Sequence, residues 1–250
     1  MLGPLKYFFL WILPTILPAV VIVCALRAKC LLRYFPLNFY MLVACTTTAA
    51  RYVILAKYGY TSHQYFRFYF YSDALCTICL FFALTALFSY VFREMGAGTY
   101  IRVGAVAVLL LTVLVTYVMV RHNFAGVSFA DDTPQARRMV FDFIAKFSQN
   151  LYFVGAVLTY LLWGALKKLK ETRTQLIQFV LSLGVYFTAF AASYAFGVLN
   201  PTNPIWRLFG PYATGLWLPI AWAYTFLKIP REAKLSPARV ALGSHAPAHQ

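Results

Sequence analysis

Apolar residues fall along this chain in seven stretches, at approximately 7–26, 37–57, 68–92, 101–120, 140–166, 175–199 and 208–228. Crossing a bilayer takes roughly 20 consecutive apolar residues in a helix, and each stretch has that length. None alternates with period two, which argues against a closed barrel of strands. The pattern predicts an all-α integral membrane protein, a seven-transmembrane-helix bundle filling residues 1–229. The connecting segments are short. The longest runs from 122 to 138 and carries Asp131 and Asp132. Residues 230–250 hold Pro, Ala, Ser and His around one basic cluster and read as a disordered cytoplasmic tail. No internal repeat divides the chain into two halves.

The first stretch opens after Lys6, as a signal peptide would. It is long for that role, and it ends in Arg27, Lys29 and Arg33 with no small-residue cleavage site before them. It is read as a retained first span. Pro14 and Pro18 in the first span and Pro219 in the seventh are expected to kink them, because each ring removes a backbone donor.

Composition reinforces the pattern. Hydrophobic residues make up 62% of the chain and charged residues only 12%, about half the charged share of a soluble domain. The net charge of +15 does not point to nucleic acid, because no soluble basic face exists to carry it. The basic residues sit mostly at the ends of apolar stretches, where they set topology and meet anionic headgroups. Thirteen of the 22 lie at one set of ends: Arg27, Lys29, Arg33, Arg93, Arg102, Lys167, Lys168, Lys170, Arg173, Lys228, Arg231, Lys234 and Arg239. Seven lie at the other. This bias predicts an N-terminus outside and a C-terminus in the cytoplasm. Tyr58, Tyr60, Tyr65 and Trp206 then fall at outer ends, at the headgroup level that suits amphipathic rings.

The candidate chemistry lies where polar residues interrupt the apolar stretches. Arg51 is in the second span and Asp73 near the outer boundary of the third. In the fifth span Asp142, Lys146, Gln149 and Asn150 share a face at i, i+4, i+7 and i+8. Thr47 and Thr48 continue the Arg51 side inward, and Tyr69 and Thr77 flank Asp73. The costly polar groups therefore gather in the outer half. The cytoplasmic half offers little beyond Asn38, Ser89 and Ser182.

A charge inside the bilayer costs about 2.5–3.5 kcal/mol on insertion scales, so it should face the bundle and find a partner. Arg51 and Asp73 sit at comparable depth on consecutive antiparallel spans and are expected to approach each other. Two readings follow. One is a polar pocket open to the outside, lined by spans two, three and five, that binds a small polar or anionic molecule. The other is a structural ion pair that staples helices, with Asp142 and Lys146 reaching to the interface.

Cys76 and Cys79 form a C-x-x-C, a spacing that places two sulfurs on one helical turn for disulfide exchange. A similar spacing serves quinone-linked membrane oxidoreductases such as the vitamin K epoxide reductase family. Here an acidic residue stands three positions before it, and no second cysteine pair is available outside. The five cysteines give no disulfide framework. His63 and His122 fall in outer loops and His245 and His249 in the tail, so the spans offer no axial ligand for haem and no zinc cluster. The only lysine of the seventh span, Lys228, is at its cytoplasmic end, which argues against a retinal Schiff base. No metal or cofactor is expected. Small residues crowd spans two and six, from Ala44 to Ala50 and at Gly184, Ala189, Ala191, Ala192, Ser193 and Gly197, a composition for close helix packing.

The stretch FYFYSDAL at 68–75 opens the third span with an aromatic pair, then an acidic residue, Ala and Leu: Tyr71, Asp73, Ala74 and Leu75. It resembles a feature of uncharacterised seven-helix proteins of acidobacterial type. That resemblance implies a bacterial inner membrane and no known activity. The topology is also similar to the seven-helix sensor regions of histidine kinases, with no output domain following residue 229.

The sequence thus points to a stand-alone sensor or accessory protein of the inner membrane. Its signal would leave through a protein partner on the basic loops 167–173 and 228–239, and an oligomer is compatible with it. A small transporter or channel subunit is the first alternative. A thiol-redox or lipid-modifying enzyme is the second.

Overall fold

The computed structural model describes residues 12–92, 96–124, 126–129, 133–169, 173–199 and 204–229, with backbone alone at 198 and 204–214. The expected tail, the Asp131/Asp132 pair and the Trp206 side chain lie outside the described residues. Seven helices account for nearly all of the rest: α1 (Leu13–Arg27), α2 (Phe35–Tyr58), α3 (His63–Phe92), α4 (Gly98–Asn123), α5 (Pro134–Lys168), α6 (Thr174–Leu199) and α7 (Pro204–Lys228). Five of them, α2 to α6, are long and apolar enough to cross a membrane.

Local chemistry sets the helix ends. α2 and α5 have Pro36 and Pro134 in their first turns, where the missing N–H costs nothing. Thr133 caps α5 by accepting from the Ala136 N–H at 3.1 Å. Ser62 does the same for α3, accepting from the Tyr65 N–H at 3.2 Å. Gly59 stops α2 with a φ of +80°, a conformation that glycine adopts at no steric cost.

Six helices close a ring. Each of the pairs α1–α2, α2–α3, α3–α5, α5–α6, α6–α7 and α7–α1 packs side by side. α4 stands outside this ring, against α5 and α3. Val103, Val106, Leu110, Leu111, Leu114 and Val118 of α4 remain exposed, which is the surface a lipid bilayer solvates. Because α4 leaves the ring, α3 and α5 become neighbours that run in the same direction. His63 and Phe70 of α3 meet Phe141 of α5, and Thr77 further along α3 meets Tyr152 further along α5.

Inside the ring Tyr34, Phe179, Trp222 and Phe226 pack at one end, with ring centroids 4.8 to 6.2 Å apart. The Trp222 indole donates to Ser182 Oγ at 2.8 Å. The close packing expected of small residues occurs at Gly184, where an added Cβ would stand 3.2 Å from Thr159. It is tighter still at Gly155 of α5, a position the composition of spans two and six did not single out.

Candidate functional site

Arg51 is the organising side chain. It lies two turns from the end of α2 and reaches across to α3. Its Nε donates to Ser72 Oγ at 2.7 Å, and an Nη donates to the Tyr69 carbonyl at 3.2 Å. The guanidinium carbon is 4.5 Å from the centre of the Tyr69 ring, in cation–π range. Asp73 is next on the same face of α3. Its carboxylate is 4.0 Å from Arg51 Nη, beyond hydrogen-bond distance. The expected approach of Arg51 and Asp73 is therefore present. The pair is not sealed, with the side chains 17% and 25% exposed.

Thr47 and Thr48 turn inward along α2 as expected. Both return their hydroxyls to their own helix, at Val43 and Ala44 respectively, which satisfies them locally. Thr47 also meets Cys76 Sγ at 3.4 Å. Cys76 and Cys79 are free thiols in the middle of α3, away from any helix end, and Cys79 is buried. Thr77 between them bonds the Asp73 carbonyl at 2.8 Å and lies 3.1 Å from the Tyr152 hydroxyl.

The wall expected from α5 requires a correction. Lys146 and Asp142 pair with each other at 2.7 Å along one helix face. Asn150 donates to Thr116 of α4 at 2.9 Å. Asn150 stands two residues from both Ser148 and Tyr152, so it points away from them. Gln149 is on the same polar side, partly exposed. The stripe Asp142–Lys146–Gln149–Asn150 thus faces α4 and the outside of the ring, and α5 turns Ser148 and Tyr152 toward Asp73 instead. The sequence drew one pocket where the chain builds two separate polar regions.

Below Asp73 the interior is tyrosine-rich. Tyr152 of α5 stacks on Phe190 of α6 at 4.5 Å, with its ring 6.0 Å from Tyr194. The side chains of Tyr152, of Tyr186 on α6 and of Tyr40 on α2 lie within electrostatic reach of one another. Arg51 and Tyr40 are eleven residues apart on α2, so these hydroxyls carry polarity ~16 Å along the helix at 1.5 Å per residue. The half expected to offer little beyond Asn38, Ser89 and Ser182 therefore also contains buried tyrosines. Tyrosines in an apolar stretch look like packing residues, and only the fold shows them to be neighbours.

Of the basic loop at 167–173, Lys167 lies 3.7 Å over the Trp163 ring. Arg173 is 5% exposed and donates to the Tyr90 carbonyl, so it is built into the fold and is not a surface for a partner. A cleft of about 430 Å³ at the far end of α4, lined by Tyr117, Val118, Arg121, His122 and Gly126, contains none of the candidate site residues. Among the described residues, no group of three His, Cys, Asp or Glu side chains converges on a metal position. No family model, curated protein or solved structure matches the chain.

Proposed function

We propose that this chain is a seven-span protein of a bacterial inner membrane, with its N-terminus outside and its tail in the cytoplasm. It acts as a sensor or accessory protein whose outward-facing site binds a small polar ligand. The observation that carries this reading is the state of Asp73. A carboxylate within a helix bundle normally takes close donors, because leaving it without them is costly. Asp73 has its nearest described cation at 4.0 Å and stays partly open. A structural staple would close that gap.

Arg51, Ser72, Tyr69 and Asp73 form the near wall, and Ser148, Tyr152 and Tyr194 the far one. The chain has few ways to transmit binding except by shifts among the packed helices. Lys167 and Lys228 remain exposed for a protein partner at the opposite end. A transporter or channel subunit is the second reading, and the hydroxyls of Tyr40, Tyr186 and Tyr152 favour it as a polar thread through the ring. Trp222 and Phe179 packed at the end of that thread weigh against an open path.

The topology is tested with single added cysteines and a membrane-impermeant maleimide. T61C should label in intact cells, and K168C only after permeabilisation. The site is tested by screening small polar solutes for thermal stabilisation of the purified chain. R51Q should stay folded and lose the response. Loss of R51Q from the membrane, with no solute stabilising the parent, would favour the staple.

A further inference from the structure

We infer that the site at Asp73 takes a small protonated amine rather than an anion. This rests on the reading of the region as a ligand site and names the chemistry of its ligand. Arg51 is the obvious anion receptor, yet two of its N–H groups are taken, Nε by Ser72 and one Nη by the Tyr69 carbonyl, and the guanidinium lies over the Tyr69 ring. An anion drawn to it would also meet the Asp73 carboxylate, 4.0 Å from the same guanidinium.

The opposite charge finds acceptors waiting. Among the described residues no donor comes within hydrogen-bond distance of the Asp73 carboxylate. A second acceptor is close by. Ser148 of α5 is 1% exposed, and its hydroxyl has no hydrogen-bond partner among the described residues. Helix register places it at the level of Asp73. α3 and α5 run the same way and are pinned together where Thr77 meets Tyr152 at 3.1 Å. Asp73 is four residues before Thr77, and Ser148 four before Tyr152. Both therefore stand one turn nearer the Arg51 end, each on the face that carries the pinned residue. α3 thus offers a carboxylate at this level and α5 an unused hydroxyl.

The surroundings suit a cation. Tyr152 and Tyr194 lie within electrostatic reach of Asp73. Tyrosine faces attract ammonium groups through the ring quadrupole, more strongly where water is scarce. An alkylammonium has three donors, which one carboxylate and one serine hydroxyl can accept, and an apolar stem that the rings can cover.

The experiment titrates the purified full-length chain in detergent with ethylammonium chloride and follows thermal unfolding. Sodium acetate, sodium phosphate and potassium chloride at equal ionic strength serve as comparisons. Ethylammonium should raise the transition temperature in a saturable way, and the other salts should not. D73N should abolish the saturable rise. S148A, a smaller change that keeps the fold if D73N does not, should weaken the apparent affinity several-fold. A rise caused by acetate or phosphate and lost in R51Q would overturn the amine and leave the ligand site standing. An ethylammonium effect unchanged in S148A and D73N would overturn this location. No effect from any probe would overturn both the amine and the site.

Discussion

The α-carbon of Gly155 points directly at the Phe187 ring, so that an added Cβ would stand 2.5 Å from a ring carbon. No pair of atoms at that separation is tolerable, and both residues lie in the closed ring between α5 and α6. G155A should therefore lower the thermal transition of the purified protein, with an overpacking cost of about 1–3 kcal/mol. Combining it with F187L should restore much of the loss. An unchanged transition in G155A alone would show that α5 and α6 pack more loosely than described.

Tyr152 contributes both a ring and a hydroxyl, and the two are separable. Y152F keeps the stack on Phe190 at 4.5 Å and deletes the bond to Thr77. Its expected cost is about 0.5–1.5 kcal/mol, the net worth of a typical hydrogen bond. Y152A removes the ring as well and should cost about 3–5 kcal/mol, as large-to-small core changes do. Equal effects of the two variants in denaturant titration would mean that the hydroxyl, not the stack, holds this part of the interior.

Arg51 and Asp73 are expected to be coupled. R51M leaves Ser72 and the Tyr69 carbonyl without their donor and Asp73 without its nearest described cation, and should reduce the folded yield in membranes. D73N added to R51M should recover part of that yield, because the uncompensated charge is gone. A double variant no better than the single would show that the two side chains act independently despite their 4.0 Å separation.

The two basic residues Lys168 and Arg173 are close in sequence and should behave differently. K168A removes an exposed charge and should leave stability within about 0.5 kcal/mol. R173A removes a buried donor to the end of α3 and should cost about 1–3 kcal/mol. Thermal unfolding of both variants decides the matter. If K168A is the more damaging, the basic loop does not pack as described.

The helices were legible in the sequence because apolar runs of helix length stand between short polar segments, and five of them are long and apolar enough to cross a membrane. The Arg51–Asp73 approach was legible for a related reason: consecutive antiparallel spans bring residues of equal depth together. The role of α5 was not legible. Asp142, Lys146, Gln149 and Asn150 form a polar stripe, and a stripe shows which residues share a face without showing which neighbour that face meets. That depended on α4 standing outside the ring, a fact with no local signature. Ser148 was passed over because a lone serine in an apolar helix usually bonds its own backbone, as Thr47 and Thr48 do. Gly155 gave no signal, since its importance comes from Phe187, thirty-two residues away in the chain.

Closure of the ring by α1 against α7 has a consequence for biosynthesis. The first helix waits for the last one to emerge from the ribosome before the circle is complete. Arg51 need not wait, because its partners are on the very next helix, and the α2–α3 hairpin supplies its hydrogen bonds as soon as it forms. The tyrosines near Asp73 on α5 and α6 arrive later. A nascent chain stopped before α5 would already hold its arginine and would still lack Tyr152 and Tyr194.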